Sequence, residues 1–204
     1  MMKQLIWIVF GWFTLLASAQ AQYTLGAKHH VQNDLLDFYA IQLFFDGRLA
    51  GWIGADTLPV SFSNRFYAYA KCHTSRETQK PDDYCTDWHL YDKDKKSHGP
   101  LSLPGLREIS VPSFSWPYVA YVMVPTKITT EDFKRTVVDV SCVVVEWPSK
   151  RVVARQKAMV NVGYFEGDTP GEFIAPKFVQ SNDVHRVTCS AEGGAVIATA
   201  VISK

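Results

Sequence analysis

From residue 37 onward the apolar residues recur with the two-residue period of a pleated strand, and few of them recur at helical spacing for more than two turns. Phe38, Ala40, Gln42 and Phe44 alternate with Tyr39, Ile41, Leu43 and Phe45; Asp46-Gly47 then supplies a tight turn, and residues 49–53 return as the second arm of a hairpin. Phe66-Tyr67-Ala68-Tyr69-Ala70 leads into Cys72, after which the polar residues 73–83 can only be a surface loop. A short strand at 88–91 ends in the solvated turn Asp92-Lys93-Asp94-Lys95-Lys96. Pro100, Pro104, Pro112 and Pro117, with Gly99 and Gly105, then interrupt the chain so often that edge strands and loops are expected there. Residues 118–124, 137–147 and 152–165 are strong strand candidates, the last two paired about Pro148-Ser149-Lys150 as a central hairpin, and 173–179, 184–190 and 195–202 close the chain. Helix is expected in at most one or two short pieces: a turn at 130–134 capped by Thr129 or Thr130, and a weak segment within 25–38. About ten short strands without alternating helices predict an antiparallel β-sandwich of immunoglobulin-like architecture, or a flattened barrel.

The first residues set the compartment. Lys3, the apolar run from Leu5 to Leu16 and the small residues Ala17-Ser18-Ala19-Gln20-Ala21 have the order of a secretory signal peptide. The run is shorter than the roughly 20 residues that a spanning helix needs. Residues 1–21 are therefore expected to be removed, leaving 22–204 as a single secreted β-domain without a membrane span, outside the cell or in a periplasm. Nothing in the composition opposes this: 47% of the chain is hydrophobic and 20% charged, enough for a packed core and incompatible with intrinsic disorder. Lys and Arg number 21 against 20 acidic residues and nowhere cluster, which argues against a nucleic-acid partner.

Cys72, Cys85, Cys142 and Cys189 all lie in the mature part, where an exported chain oxidises them. The favoured pairing is Cys72 with Cys85, closing the polar loop, and Cys142 with Cys189, since each of these two lies within an apolar strand pattern. A metal site at Cys72-His73 and Cys85 with His89 is the competing reading, disfavoured because a structural zinc site usually brings Cys-x-x-Cys pairs. A bridge between Cys142 and Cys189 across the interior would resemble the inter-sheet staple of immunoglobulin-like sandwiches, though no Trp sits midway between them. The Cys72 to Cys85 loop and the Val187-x-Cys189 ending are also similar, over two short segments, to fungal secreted β-barrels.

Catalytic signatures are absent: there is no Gly-x-Ser-x-Gly elbow, His-Glu-x-x-His, phosphate-cradling glycine loop or dinucleotide fingerprint. His29-His30 reads as a solvated pair, and Asp92-x-Asp94 lacks the bidentate Glu of a calcium loop. Glu166, Asp168 and Glu172 read as an acidic turn. No cofactor or metal is expected. Aromatic residues are the more suggestive class, because rigid rings give contact area at little entropic cost. Trp116 and Tyr118 sit in a proline-restricted segment, Trp88 and His89 on a short strand. These four are the candidate binding residues for an extracellular protein or glycan, in an effector-like, non-enzymatic role. The alternative is a small-molecule pocket, or a metal-free enzyme acting on a hydrophobic ligand.

Overall fold

The computed structural model describes residues 23–34, 36–104, 111–123, 136–162, 174–181, 184–191 and 196–202. Among them the strands form four antiparallel sheets, and no helix occurs. Sheet 1 contains β1 (Tyr23–Gln32), β2 (Asp37–Phe45) and β3 (Arg48–Gly54), in that order. Sheet 2 contains β4 (Val60–Ser61), β5 (Phe66–Lys71), β6 (Asp87–Asp92) and β7 (Ser97–Pro100). Sheet 3 is built from β8 (Ser113–Ser115), β9 (Tyr118–Met123), β10 (Thr136–Glu146) and β11 (Arg151–Val162). Sheet 4 comprises β12 (Ile174–Ser181), β13 (Val184–Ala191) and β14 (Val196–Ile202). Within each sheet, strands adjacent in space are adjacent in sequence, so every sheet is a meander assembled from hairpins.

The sheets pack face to face in chain order, and the alternation of side chains along the inner strands supplies the glue. On one face of sheet 2, Tyr69 and Tyr91 meet Leu43, Phe45, Ala50 and Ile53 of sheet 1. On the other, Ala68, Ala70, Trp88 and Leu90 meet Val119, Tyr121, Val143 and Val145 of sheet 3. The opposite side of sheet 3 turns Ala120, Val122, Cys142 and Val144 onto Val187, Cys189, Ala200 and Ile202 of sheet 4. Each adjacent pair of sheets is thus a β-sandwich, and β5, β9 and β10 carry apolar side chains on both faces because both faces are covered.

Both expected disulfides are formed. Cys142–Cys189 bridges sheets 3 and 4 with Cα atoms 6.0 Å apart, inside the layer that Val140, Val144 and Val187 complete. Cys72–Cys85 closes the polar loop. With all four sulfurs paired there is no thiolate for a zinc site, and among the described residues no cluster of three or more His, Cys, Asp or Glu side chains could hold a metal ion. None of these residues forms a helix long and apolar enough to cross a membrane.

The weak helical expectation for 25–38 is overturned: β1 and the start of β2 occupy those residues, paired from Tyr23↔Phe45 to Gln32↔Asp37. The tertiary pairing outweighs the local pattern, since β1 is a mostly exposed edge strand held by its ladder rather than by an apolar stripe. The proline-broken stretch behaves as expected, β7 and β8 each forming the edge of a sheet. The turn expected at 130–134 lies outside the described residues.

Candidate binding surface at the hairpin turns

Five turns gather at one end of sheets 1 to 3, and local chemistry shapes each. Between β2 and β3, Asp46 and Gly47 both take positive φ (49° and 74°), the geometry of the two-residue turn that suits a twisted hairpin. Ser63 Oγ accepts hydrogen bonds from the N–H groups of Arg65 and Phe66, both at 3.1 Å, and so shapes the turn between β4 and β5. Asp92 Oδ1 does the same between β6 and β7, accepting from the N–H of Asp94 at 3.1 Å and of Lys95 at 3.3 Å. The last two turns both begin with Trp-Pro: Trp116-Pro117 between β8 and β9, and Trp147-Pro148 between β10 and β11, each with a cis peptide bond.

A continuous set of contacts ties these turns together. Tyr91 Oη donates to the Asp46 carboxylate, fastening the first turn to β6. The Arg65 fork donates Nε to Asp92 Oδ1 at 2.9 Å and Nη2 to Asp92 Oδ2 at 2.6 Å, with Asp94 Oδ2 3.2 Å from Nε. The Lys93 N–H donates to the Arg65 carbonyl at 2.9 Å. Phe62 and Phe66 reach the next turn, with ring centroids 5.2 and 5.9 Å from that of Trp116, and the Trp147 N–H donates to the Pro117 carbonyl at 2.7 Å. The Arg65 hydrogen bonds hold the Asp92 carboxyl below its ordinary range, while burial, followed by the bond to Asp46, pushes the Tyr91 phenol up to about 12.

What this pinned rim presents is Trp116. The residue keeps 48% of its surface exposed, yet its ring is stacked on Phe66 and edge-on to Phe62, so its position is fixed. Beside it opens a groove of about 440 Å³ lined by Ser63, Asn64, Arg65 and Trp116. A ring face, an exposed side-chain amide and a guanidinium held by two carboxylates make a surface that can stack on an apolar ligand face and hydrogen-bond to its hydroxyls or carbonyls.

The other expected binding residues are not gathered here. Tyr118 follows the Trp116-Pro117 turn but is half-buried against the layer between sheets 3 and 4. Trp88 is only 8% exposed, packed in the layer between sheets 2 and 3 with its ring 5.5 Å from that of Phe114. His89 points the opposite way from Trp88, as alternation expects. Its Nε2 lies 2.8 Å from Asp87 Oδ2, its ring stacks on Tyr69, and Nδ1 and the Tyr69 hydroxyl are buried without a hydrogen-bond partner among the described residues. His30 pairs with Asp37 at 2.7 Å and stacks on Tyr39. Asp92 and Asp94 hold Arg65 and the turn, a use of these carboxylates that competes with calcium. Glu166, Asp168 and Glu172 lie outside the described residues.

Asn64, Arg65, Phe62, Phe66 and Trp147 were not singled out by the sequence pattern, because what assembles them is the stacking of sheets 2 and 3. The available signal was the repeated Trp-Pro dipeptide at two hairpin turns. No known family model, curated protein or solved structure matches this chain.

Proposed function

We propose that the chain is an exported, disulfide-stapled β-protein that acts by binding, with the hairpin-turn rim as its contact surface and an extracellular glycan as its ligand. The observation that carries this reading is Trp116: a large ring left half exposed although two phenylalanines fix it in place, beside a groove lined by the exposed amide of Asn64. A solvent-facing indole immobilised in advance loses little side-chain entropy when a ligand covers it. A saccharide fits such a site because its C–H face stacks on the indole while its hydroxyls reach the amide and guanidinium. Export follows from residues 1–21 and accords with two closed disulfides. An extracellular protein is the second occupant to be tested on the same surface. The groove beside Trp116 is open at the surface, which favours this reading over an enclosed pocket for a hydrophobic small molecule.

The test is retention of the oxidised protein, residues 22–204, on a panel of immobilised polysaccharides and extracellular proteins. Specific retention on a polysaccharide, reduced at least about tenfold by Trp116→Ala and by Asn64→Ala, is expected of a hot-spot contact. Binding that both variants retain in full would contradict the assignment of the rim, and retention only on a protein would exclude the glycan.

A further inference from the structure

A second, smaller cleft of about 110 Å³ opens where the β2–β3 turn meets the β6–β7 hairpin, lined by Phe45, Asp46, Arg48, Tyr91, Lys96 and His98. Three of these six side chains are basic, and they come from β3, the β6–β7 turn and β7. From this convergence we infer an oxyanion site that takes a sulfate or phosphate group, with Arg48 and Lys96 as its charge partners and His98 as a proton-linked donor.

Arg48 and Lys96 have no ion pair or hydrogen-bonded side-chain partner among the described residues, in contrast to Arg65 and Arg151, which are held by Asp92 and Glu146. The single carboxylate lining the cleft, Asp46, accepts from the Tyr91 hydroxyl and is outnumbered by the basic side chains of Arg48 and Lys96. The floor is rigid, since the rings of Phe45 and Tyr91 stack 4.1 Å apart. Lys96 also holds a left-handed conformation, φ 48°, that is strained for a side-chain-bearing residue and suits Gly or Asn better. Retaining a lysine in that conformation is understandable if its ammonium is used. Small, compact and cationic, the cleft suits a tetrahedral anion rather than a flat ligand.

His98 makes the site responsive to pH. Burial, then the neighbouring His89 and Lys71, lowers its proton affinity, so it is mainly neutral at neutral pH. The groups around it are Asp46, Arg48, Tyr91 and Lys96 in the cleft, with His89 and Lys71 beside it. An anion bound against His98 favours its protonated form, so binding tightens as pH falls through the free histidine's value, below the ordinary 6.5.

The experiment is a titration of isotope-labelled protein, residues 22–204, with sodium sulfate against chloride of equal ionic strength, followed by the His98 ring signals. Sulfate keeps its charge across the range and so isolates the histidine. Saturable shifts at His98 are expected, with affinity rising about threefold or more between about pH 7.5 and about pH 5.5. Arg48→Gln with Lys96→Gln should weaken sulfate at least about tenfold. His98→Gln should retain binding but flatten the pH profile, and Trp116→Ala should leave it unchanged. Dextran sulfate beside unsulfated dextran identifies the source: competition by the former alone points to a sulfate ester, competition by neither to a free anion. Shifts no larger than those caused by chloride, or sulfate binding untouched by the double substitution, would overturn the site. The proposed glycan contact at Trp116 would stand or fall separately.

Discussion

Sheets 1 and 2 end, in one direction, at the Cys72–Cys85 loop and, in the other, at the hairpin turns, and each end has its tryptophan. Trp52 at the loop end is 8% exposed, donates Nε1–H to the Gln79 carbonyl at 3.2 Å, and packs with Val31, Ala40, Cys72 and Cys85. Trp116 at the turn end is 48% exposed and rests on the rings of Phe62 and Phe66. The difference lies in the length of chain available to cover the ring. Cys85 follows Cys72 by thirteen positions, enough chain to fold back over Trp52 and offer it a carbonyl, whereas Trp116 sits at a two-residue turn with no chain to spare. The same residue type is therefore structural at one end and displayed at the other.

This contrast can be broken by substitution. Trp52→Ala should cost about 3–5 kcal/mol of unfolding free energy, as for any large buried ring, while Trp116→Ala should cost less than about 1 kcal/mol, as for a surface position. Chemical denaturation of both variants checks the difference, and equal losses would erase the distinction between the ends. Removing the closed end's cross-link with Cys72→Ala and Cys85→Ala should cost about 3 kcal/mol on a chain-entropy basis for a loop of this length. It should also raise the exposure of Trp52, read as a red-shifted fluorescence spectrum.

Effects at the turn end are smaller. Tyr91→Phe removes the bond to Asp46, and because that carboxylate can take water instead, a loss of about 1 kcal/mol is expected in equilibrium unfolding. The raised phenol value gives the sign: this contribution is complete below the ordinary tyrosine value of 10.0 and disappears as pH rises through about 12. Smallest is the acid response of Asp92. Its lowered value means that the Arg65 pair contributes fully above the ordinary 3.8 and is lost as pH falls through the lower folded value. Asp92→Asn should remove that part of the acid-unfolding curve and leave stability near neutrality only slightly reduced, as exposed ion pairs contribute little.

Local features of the fold were legible and layered ones were not. Asp46-Gly47 announces its turn because the required backbone angles belong to those residue types. The disulfide pairing was readable because Cys142 shares a face with Val140 and Val144, and Cys189 with Val187. The number of layers was harder to see, although the unbroken apolar run Cys142-Val143-Val144-Val145 carries the signal: a strand with one wet face alternates, and this one does not. β1 leaves almost no hydrophobic pattern in the sequence, since it is an edge strand supported by its ladder. At the site, exposure of Trp116 followed from its proline-restricted turn, but Phe66 reaches that ring, and Arg65 the groove beside it, only once sheets 2 and 3 are stacked. Trp88 shows the reverse, a residue type common in binding sites that alternation buries in a core.

The rim's role is tested most directly by iodide quenching of tryptophan fluorescence with and without the polysaccharide that retains the protein. Of the four tryptophans in residues 22–204, Trp52 and Trp88 are buried and Trp147 is partly buried, so Trp116 is the most quenchable ring. A ligand that stacks on this ring should protect it, and Trp116→Ala should lose both the quenchable component and the protection. Saturating ligand that leaves Trp116 as quenchable as in the free protein would contradict the account.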